Sequence, residues 1–223
     1  MDDLACPVCL RGFTEAISVG NLRRCKFCTH LFQWPLEVTA EYGYEYVHER
    51  YEAYPTTDAM SHLRVGFLRA VHPNPGRLLD VGYGNGSFLK VAQKAGYDVY
   101  GNDVHGCGHR FGVRDAELNG DKWDVVTFFD SLEHFPSLVL PREVCLQAST
   151  VIVSVPCMPS NECDIPDWKH YRPGEHLHYF TKKSLDVFMA GKQRVACLDL
   201  EDTIRGDRNG EWNILTAAWK AKG

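Results

Sequence analysis

The sequence predicts an α/β protein: a mostly parallel sheet with helices on both faces, carrying a small metal-stapled head. Three observations point there. From about residue 76 short apolar runs alternate with stretches of helical periodicity, as parallel strands joined by helices require. Three glycines at alternate positions, Gly82, Gly84 and Gly86, follow the first of those runs. Two C-x2-C pairs, "CPVC" at 6–9 and "CKFC" at 25–28, open the chain.

The elements follow in order. In "TTDAMSHLRVGFLRAVH" the residues Leu63, Phe67, Leu68 and Val71 recur at helical spacing after a Thr or Asp cap, which predicts a helix over 57–71. The breaker cluster "HPNPG" ends it. Beyond lie "RLLDV" as a strand, "SFLKVAQKAG" as a helix closed by Gly96, and "DVYGND" and "WDVVTFFD" as strands. They are followed by "PREVCLQAS" as a helix opening at Pro141, "TVIVSV" as a strand, "KKSLDVFMAG" as a helix, and "RVACLDLEDT" and "WNILTAAWKA" as a closing strand pair. Three segments result: a head at 1–35, a tyrosine-rich helical cap at 36–75 and a core at 76–223. Five tyrosines within 41–54 are expected to pack the cap onto its neighbour.

Composition narrows the function. A chain of 223 residues with 44% hydrophobic content supports one full domain and an appendage. No run of ~18 apolar residues offers a membrane span, and the acidic start "MDDLACPVCL" has no signal-peptide h-region. Nine cysteines, five of them scattered, suit a reducing compartment, so a soluble cytoplasmic protein is expected. The net charge of -5 gives no overall attraction to polyanions, so nucleic acid is not indicated as a partner.

Fifteen residues separate the two cysteine pairs, close to the spacing of a structural zinc site. Thiolates from Cys6, Cys9, Cys25 and Cys28 would close a tetrahedral site with no open position, so the metal would fold the head and do no chemistry. The core's glycines occupy the turn after the first strand, where ligands of parallel sheets bind. Glycine lets the backbone approach a ligand closely, and Asp103 at the end of the second strand suits two ribose hydroxyls, so a nucleoside is the implied ligand. The dinucleotide pattern G-x-G-x-x-G would place Ser87 at its third glycine, whereas Asp80, Gly82, Gly84 and Gly86 fit D-x-G-x-G-x-G.

On these residues the stretch from about 76 to 220 resembles the class I S-adenosylmethionine-dependent methyltransferases. The resemblance implies a Rossmann-like, seven-stranded, mostly parallel sheet. It implies that Asp80, Gly82, Gly84 and Gly86 surround the methionine part of S-adenosylmethionine, that Asp103 holds the ribose hydroxyls, and that Asp115 lies near the adenine. "WDVVTFFDSLEHF" resembles the family's fourth strand and following loop, which places Asp130, Glu133 and His134 beside the sulfonium methyl. "GEHLHYFTKKSL" resembles a segment of a subgroup with an N-terminal zinc ribbon that includes sugar C-methyltransferases. One departure stands out. Only "VHGCGHR" separates Asp103 from the third strand expected at "FGVRDA", whereas a parallel crossover normally needs a dozen residues or more.

Because the sulfonium is already an activated electrophile, the expected task of the protein is alignment of the acceptor, with His134 and His176 as candidate general bases. The 25-residue stretch "PCMPSNECDIPDWKHYRPGEHLHYF" has no clear periodicity and is expected to meet the substrate. "VPC" does not match the Pro-Cys nucleophile of cytosine C5 methyltransferases, which follows the fourth strand. The expected function is methylation of a small molecule such as a sugar, nucleotide sugar or other metabolite. RNA or DNA methylation guided by the ribbon, and a non-catalytic zinc-ribbon adaptor, are the alternatives.

Overall fold

The computed structural model describes residues 4–40, 43, 45, 57–158, 165–198, 200–205 and 213–222. The five tyrosines of 41–54 lie outside the described residues. The main sheet has six strands: β4 (Arg77–Val81), β5 (Asp98–Asn102), β6 (Trp123–Phe129), β7 (Ala148–Pro156), β9 (Lys192–Leu198) and β10 (Ile214–Ala221). Their spatial order is β5-β4-β6-β7-β10-β9. The first four run parallel, and β10 is antiparallel to both its neighbours.

Alternation along the strands assigns the two faces. Leu78, Val125, Ile152 and Ala218 join one core cluster, while Leu79, Val126, Val151, Val153, Ala217 and Trp219 join the other. Helix α1 (Thr57–Val71) contributes Val65, Leu68 and Val71 to the first face, and α2 (Ser87–Lys94) adds Phe88, Leu89 and Ala92. The second face is covered by Val144 and Cys145 of α4 (Val139–Gln147) and by Leu185 and Phe188 of α5 (Lys182–Phe188). Helix α4 begins two residues before Pro141, so the proline sits inside its first turn rather than opening it. Thr181 and Ser184 form a reciprocal capping box at the start of α5.

The expected seventh strand is absent among the described residues. "FGVRDA" makes a single parallel bridge, Gly101 to Asp115, because the seven residues after Asp103 have room for only one helical turn, α3 (Gly108–Phe111).

The head forms its own sheet of β1 (Thr14–Ala16), β2 (Leu22–Cys25) and β3 (Leu31–Gln33), and a strand of the body, β8 (His178–Tyr179), completes it. The pairing is Leu31 with Tyr179 and Phe32 with His178. Cys6, Val8, Cys25 and Cys28 belong to the core cluster beneath α4 and α5, and Arg142 donates to the carbonyls of Pro7 and Val8. The imidazoles of His30 and His178 are buried and hydrogen-bonded to each other at 3.1 Å, and His178 Nε2 donates to the Phe135 carbonyl.

Burial pushes the His178 imidazole down to about 4, against the opposing pull of its bond to Phe135. The native state therefore takes up this proton later than the unfolded chain, so stability is present above pH ~6.5 and is lost as the pH falls towards 4. The expected result is a urea midpoint that declines between pH 7 and 5, and a shallower decline in His178→Gln, by up to ~1.4 kcal/mol per pH unit. Equal slopes in the two proteins would show that this histidine does not couple to folding.

Candidate active site

A cavity of about 550 Å³ opens at the carboxyl ends of β4, β5 and β6. Strand β4 pairs with β5 on one side and β6 on the other, so the chain splits in two directions at this point and leaves a crevice. The turn after β4 is held tightly. Gly82, at φ +81°, donates to the Asn102 carbonyl, and an added Cβ there would stand 2.4 Å from Ser131 Cβ. Ser131 in turn donates to the Val81 carbonyl, tying the end of β6 to the end of β4.

Asp103 accepts from the Gly84 amide at 2.9 Å, and the His105 ring donates back to the Gly84 carbonyl at 3.0 Å, so turn and carboxylate form one unit. Asp80 is buried beneath the turn and accepts from the Thr127 hydroxyl at 2.7 Å. Burial pushes its carboxyl up to about 7, against Thr127 and Arg64, which favour the charged form. Gly86 is not a cavity-lining residue. Its left-handed backbone caps α2, and a Cβ would meet Val113 at 2.7 Å. Asp115 does not line the cavity either; it accepts a hydrogen bond from the hydroxyl of Tyr83, which does.

The other half of the cavity is polar. Asp130, at φ +54°, accepts from Arg64 of α1 and from Arg205 of the short helix α6 (Glu201–Arg205). Both arginines also bond Glu201, which is 1% exposed and accepts from the Ser154 and Thr216 hydroxyls. Burial opposes charge on Asp130, yet Arg205 and Arg64 hold its carboxyl well below the usual range. Arg64, Glu201 and Arg205 carry no sequence motif. Helical spacing alone gives no sign that Arg64, on the packed helix, turns to the sheet's rim.

The 3-10 turn Leu132–His134 follows β6 and brings in Glu133 and His134. His176 comes not from a strand end but from the segment before β8, which is tied to that turn by the Leu177 amide bonding the Glu133 carbonyl. The two rings meet edge to face at 4.8 Å. His134 Nδ1 lies 2.8 Å from the Glu175 carbonyl and His176 Nδ1 lies 2.8 Å from the His170 carbonyl. A carbonyl only accepts, so Nδ1 carries the hydrogen in each neutral ring and Nε2 keeps its lone pair. Burial, followed by the neighbouring His134, brings His176 down to about 3, so its ring is neutral at physiological pH. Of the residues predicted from sequence, Asp80, Gly82, Gly84, Asp103, Asp130, His134 and His176 all line this one cavity. Of the loop residues expected to meet the substrate, His170 and Arg172 line it, whereas Trp168 and Tyr171 pack in the cluster that includes Leu22 and Leu31 of the head.

Away from the cavity, the four head cysteines are unbridged thiols whose sulfurs lie within 4.8 Å of one another. Cys6 to Cys28 is 3.7 Å and Cys9 to Cys25 is 3.4 Å, near the ~3.8 Å edge of a tetrahedron with Zn–S bonds of ~2.3 Å. The donor set fits zinc.

No curated protein matches the chain. Solved structures of similar fold include magnesium protoporphyrin IX methyltransferase from Synechocystis PCC 6803 with bound S-adenosylhomocysteine. It is 16% identical, covers 75% of this chain and 84% of its own, and has a TM-score of 0.56. The amino pentose methyltransferase CalS10 from Micromonospora echinaspora, solved with S-adenosylmethionine, is 15% identical over 82% of this chain and 99% of its own at 0.54. The 1,6-didemethyltoxoflavin-N1-methyltransferase of Burkholderia thailandensis is 15% identical over 94% and 99% at 0.52. At these identities they show the fold. The methyltransferase domain model matches residues 46–191, well over half of the sequence and including the glycine turn, Asp103, Asp130, His134 and His176. The chain belongs to this methyltransferase family and is an S-adenosylmethionine-dependent methyltransferase.

Proposed function

We propose that the protein transfers the methyl group of S-adenosylmethionine directly to a small polar acceptor, of the sugar, nucleotide-sugar or related metabolite class. The observation that carries this reading is the continuity of one cavity from Gly82, Gly84 and Asp103 to His134, Arg172 and His176. When bound, the cofactor supplies an electrophilic methyl on a sulfonium. The residues at its end of the cavity fit such a group. Asp103, fixed by Gly84 and His105, is placed to accept from two ribose hydroxyls, and buried Asp80 offers a carboxylate to the cationic methionine part. Gly86 serves by shaping the turn, and Asp115 by holding Tyr83.

Aligning the acceptor behind the methyl is the largest contribution asked of the protein, up to ~7–11 kcal/mol. The histidine Nε2 lone pairs face the acceptor end, where each is a base for a hydroxyl or amine proton, adding about 10² to 10⁴ in rate. Asp130, clamped by two arginines, orients the rim rather than moving protons. A neighbour that acts on an amino pentose supports a sugar-like acceptor. The ribbon is proposed to hold one structural zinc through Cys6, Cys9, Cys25 and Cys28.

Titration calorimetry tests the pocket. S-adenosylhomocysteine is expected to bind the unmutated protein, and Asp103→Ala to weaken it about 100-fold, the loss of charged hydrogen bonds worth ~3 kcal/mol. No binding by the unmutated protein would end the proposal. A second expectation concerns pH. A cationic ligand beside Asp80 lowers the carboxyl from about 7, so binding of S-adenosylmethionine releases a proton below that pH. Affinity should therefore be flat above pH ~7.5 and fall towards pH 6, and this dependence should be lost in Asp80→Asn. Zinc analysis of the purified chain should give at least one ion per molecule, lost with the Cys6→Ser and Cys28→Ser changes, with a strong chelator lowering the melting temperature; a metal-free chain of unchanged stability would refute the structural role.

A further inference from the structure

Glu133 is 1% exposed, and among the described residues its Oε2 has no hydrogen-bond partner. A carboxylate with an unmet acceptor inside a protein needs a cation or a donor. Its own backbone amide and the Arg205 guanidinium favour its charged form, yet neither bonds Oε2. His134 Nε2 is 3.9 Å from Glu133 Oε1, too far for a hydrogen bond, and in the neutral ring it carries no hydrogen to donate. His176 also turns a bare Nε2 into the cavity, because its Nδ1–H is spent on the His170 carbonyl. One carboxylate oxygen and two imidazole nitrogens lie within 4.8 Å of one another, a spacing that one ion spans. Both nitrogens are fixed in this role by backbone carbonyls behind the rings, the arrangement that orients histidine ligands at metal centres.

The geometry points to a second metal site, at the acceptor end of the cavity, in which Glu133, His134 and His176 bind one divalent first-row transition ion and leave its remaining positions open to the substrate. Two imidazoles and one carboxylate select manganese, iron, cobalt or zinc over calcium or magnesium. The site is separate from the cysteine cluster in both donor chemistry and place, since the four thiols lie in the ribbon and none of them lines the cavity. The inference rests on the reading of this end of the cavity as the acceptor site, and changes what the histidines do there. Their lone pairs hold the ion, and the ion lowers the pKa of a coordinated hydroxyl of the acceptor. That hydroxyl gives its proton to solvent. Its oxygen then forms the new bond to the methyl carbon as the carbon–sulfur bond breaks and the electron pair stays on sulfur, leaving S-adenosylhomocysteine. The acceptor class is thereby narrowed to molecules presenting an oxygen, best two adjacent oxygens, that bind such an ion.

The test uses the full chain with its cysteine site already loaded with zinc. Manganese is titrated and followed by electron paramagnetic resonance, cobalt by its visible absorption, and S-adenosylhomocysteine binding is measured alongside. One manganese or cobalt ion per chain is expected, with weak visible bands of nitrogen and oxygen ligation rather than the intense ones of thiolate. Glu133→Gln and His176→Gln should each weaken ion binding by about 100-fold or more while S-adenosylhomocysteine still binds, which shows that both variants are folded. Failure of both ions to bind the unmutated chain, or equal binding by both variants, overturns the site. If S-adenosylhomocysteine binds while the ions do not, this inference falls and the methyltransferase reading stands.

Discussion

The close approach of Gly82 to Ser131 is the contact on which the site depends. It joins the tips of two neighbouring parallel strands with only the Ser131 side chain between them, and the Ser131 hydroxyl bonds the Val81 carbonyl. One wall of the crevice is then the turn leading into α2, and the other is the 3-10 turn that starts at Leu132. Separating the tips by the width of one methyl group would move Asp103 and Gly84 away from Glu133 and His134 together. These cavity-lining residues are therefore positioned by strand pairing and not by loops alone.

Burial on both faces makes the central strands of the sheet mostly apolar, and several of the buried polar exceptions pair with one another. Asp80 lies beside Thr127, Thr216 beside Ser154, and Glu201 caps the series. Each member is buried and each has a partner, which is the condition under which polar groups are tolerated in a core. Arg64 and Arg205 close the series at the Asp130 end, where the backbone of Asp130 has adopted the left-handed conformation. That conformation is uncommon outside glycine and is maintained here by two guanidinium groups on one carboxylate.

Much of this was legible in the sequence because it is local. The order of the main strands and covering helices from 77 to 198, the helix at 57–71, the glycine turn and the paired cysteines follow from spacing within a few residues, whereas the strand expected over "RVACLDLEDT" ends at Leu198 and its last residues start the helix Glu201–Arg205. The seventh strand was expected from resemblance and failed where the residue count had already raised an objection, since seven residues do not make a crossover. Long-range partners were not legible. Nothing near Glu201 distinguishes it from a surface acid at a helix start, and its burial comes from Arg64, 137 residues away. Gly86 fits the motif and Asp115 was expected from the resemblance, but they meet Val113 and Tyr83, because a motif specifies a turn and not which of its atoms reach a ligand.

The pairing of β3 with β8 has a consequence for how the chain is divided. His176 stands two residues before β8, and the only strand that β8 pairs with among the described residues comes from the head. The first 35 residues thus brace the segment that walls the cavity, although none of them lines it. A truncated protein starting at the cap would retain the glycine turn and lose the strand that holds the segment carrying His170 and His176 against the cavity.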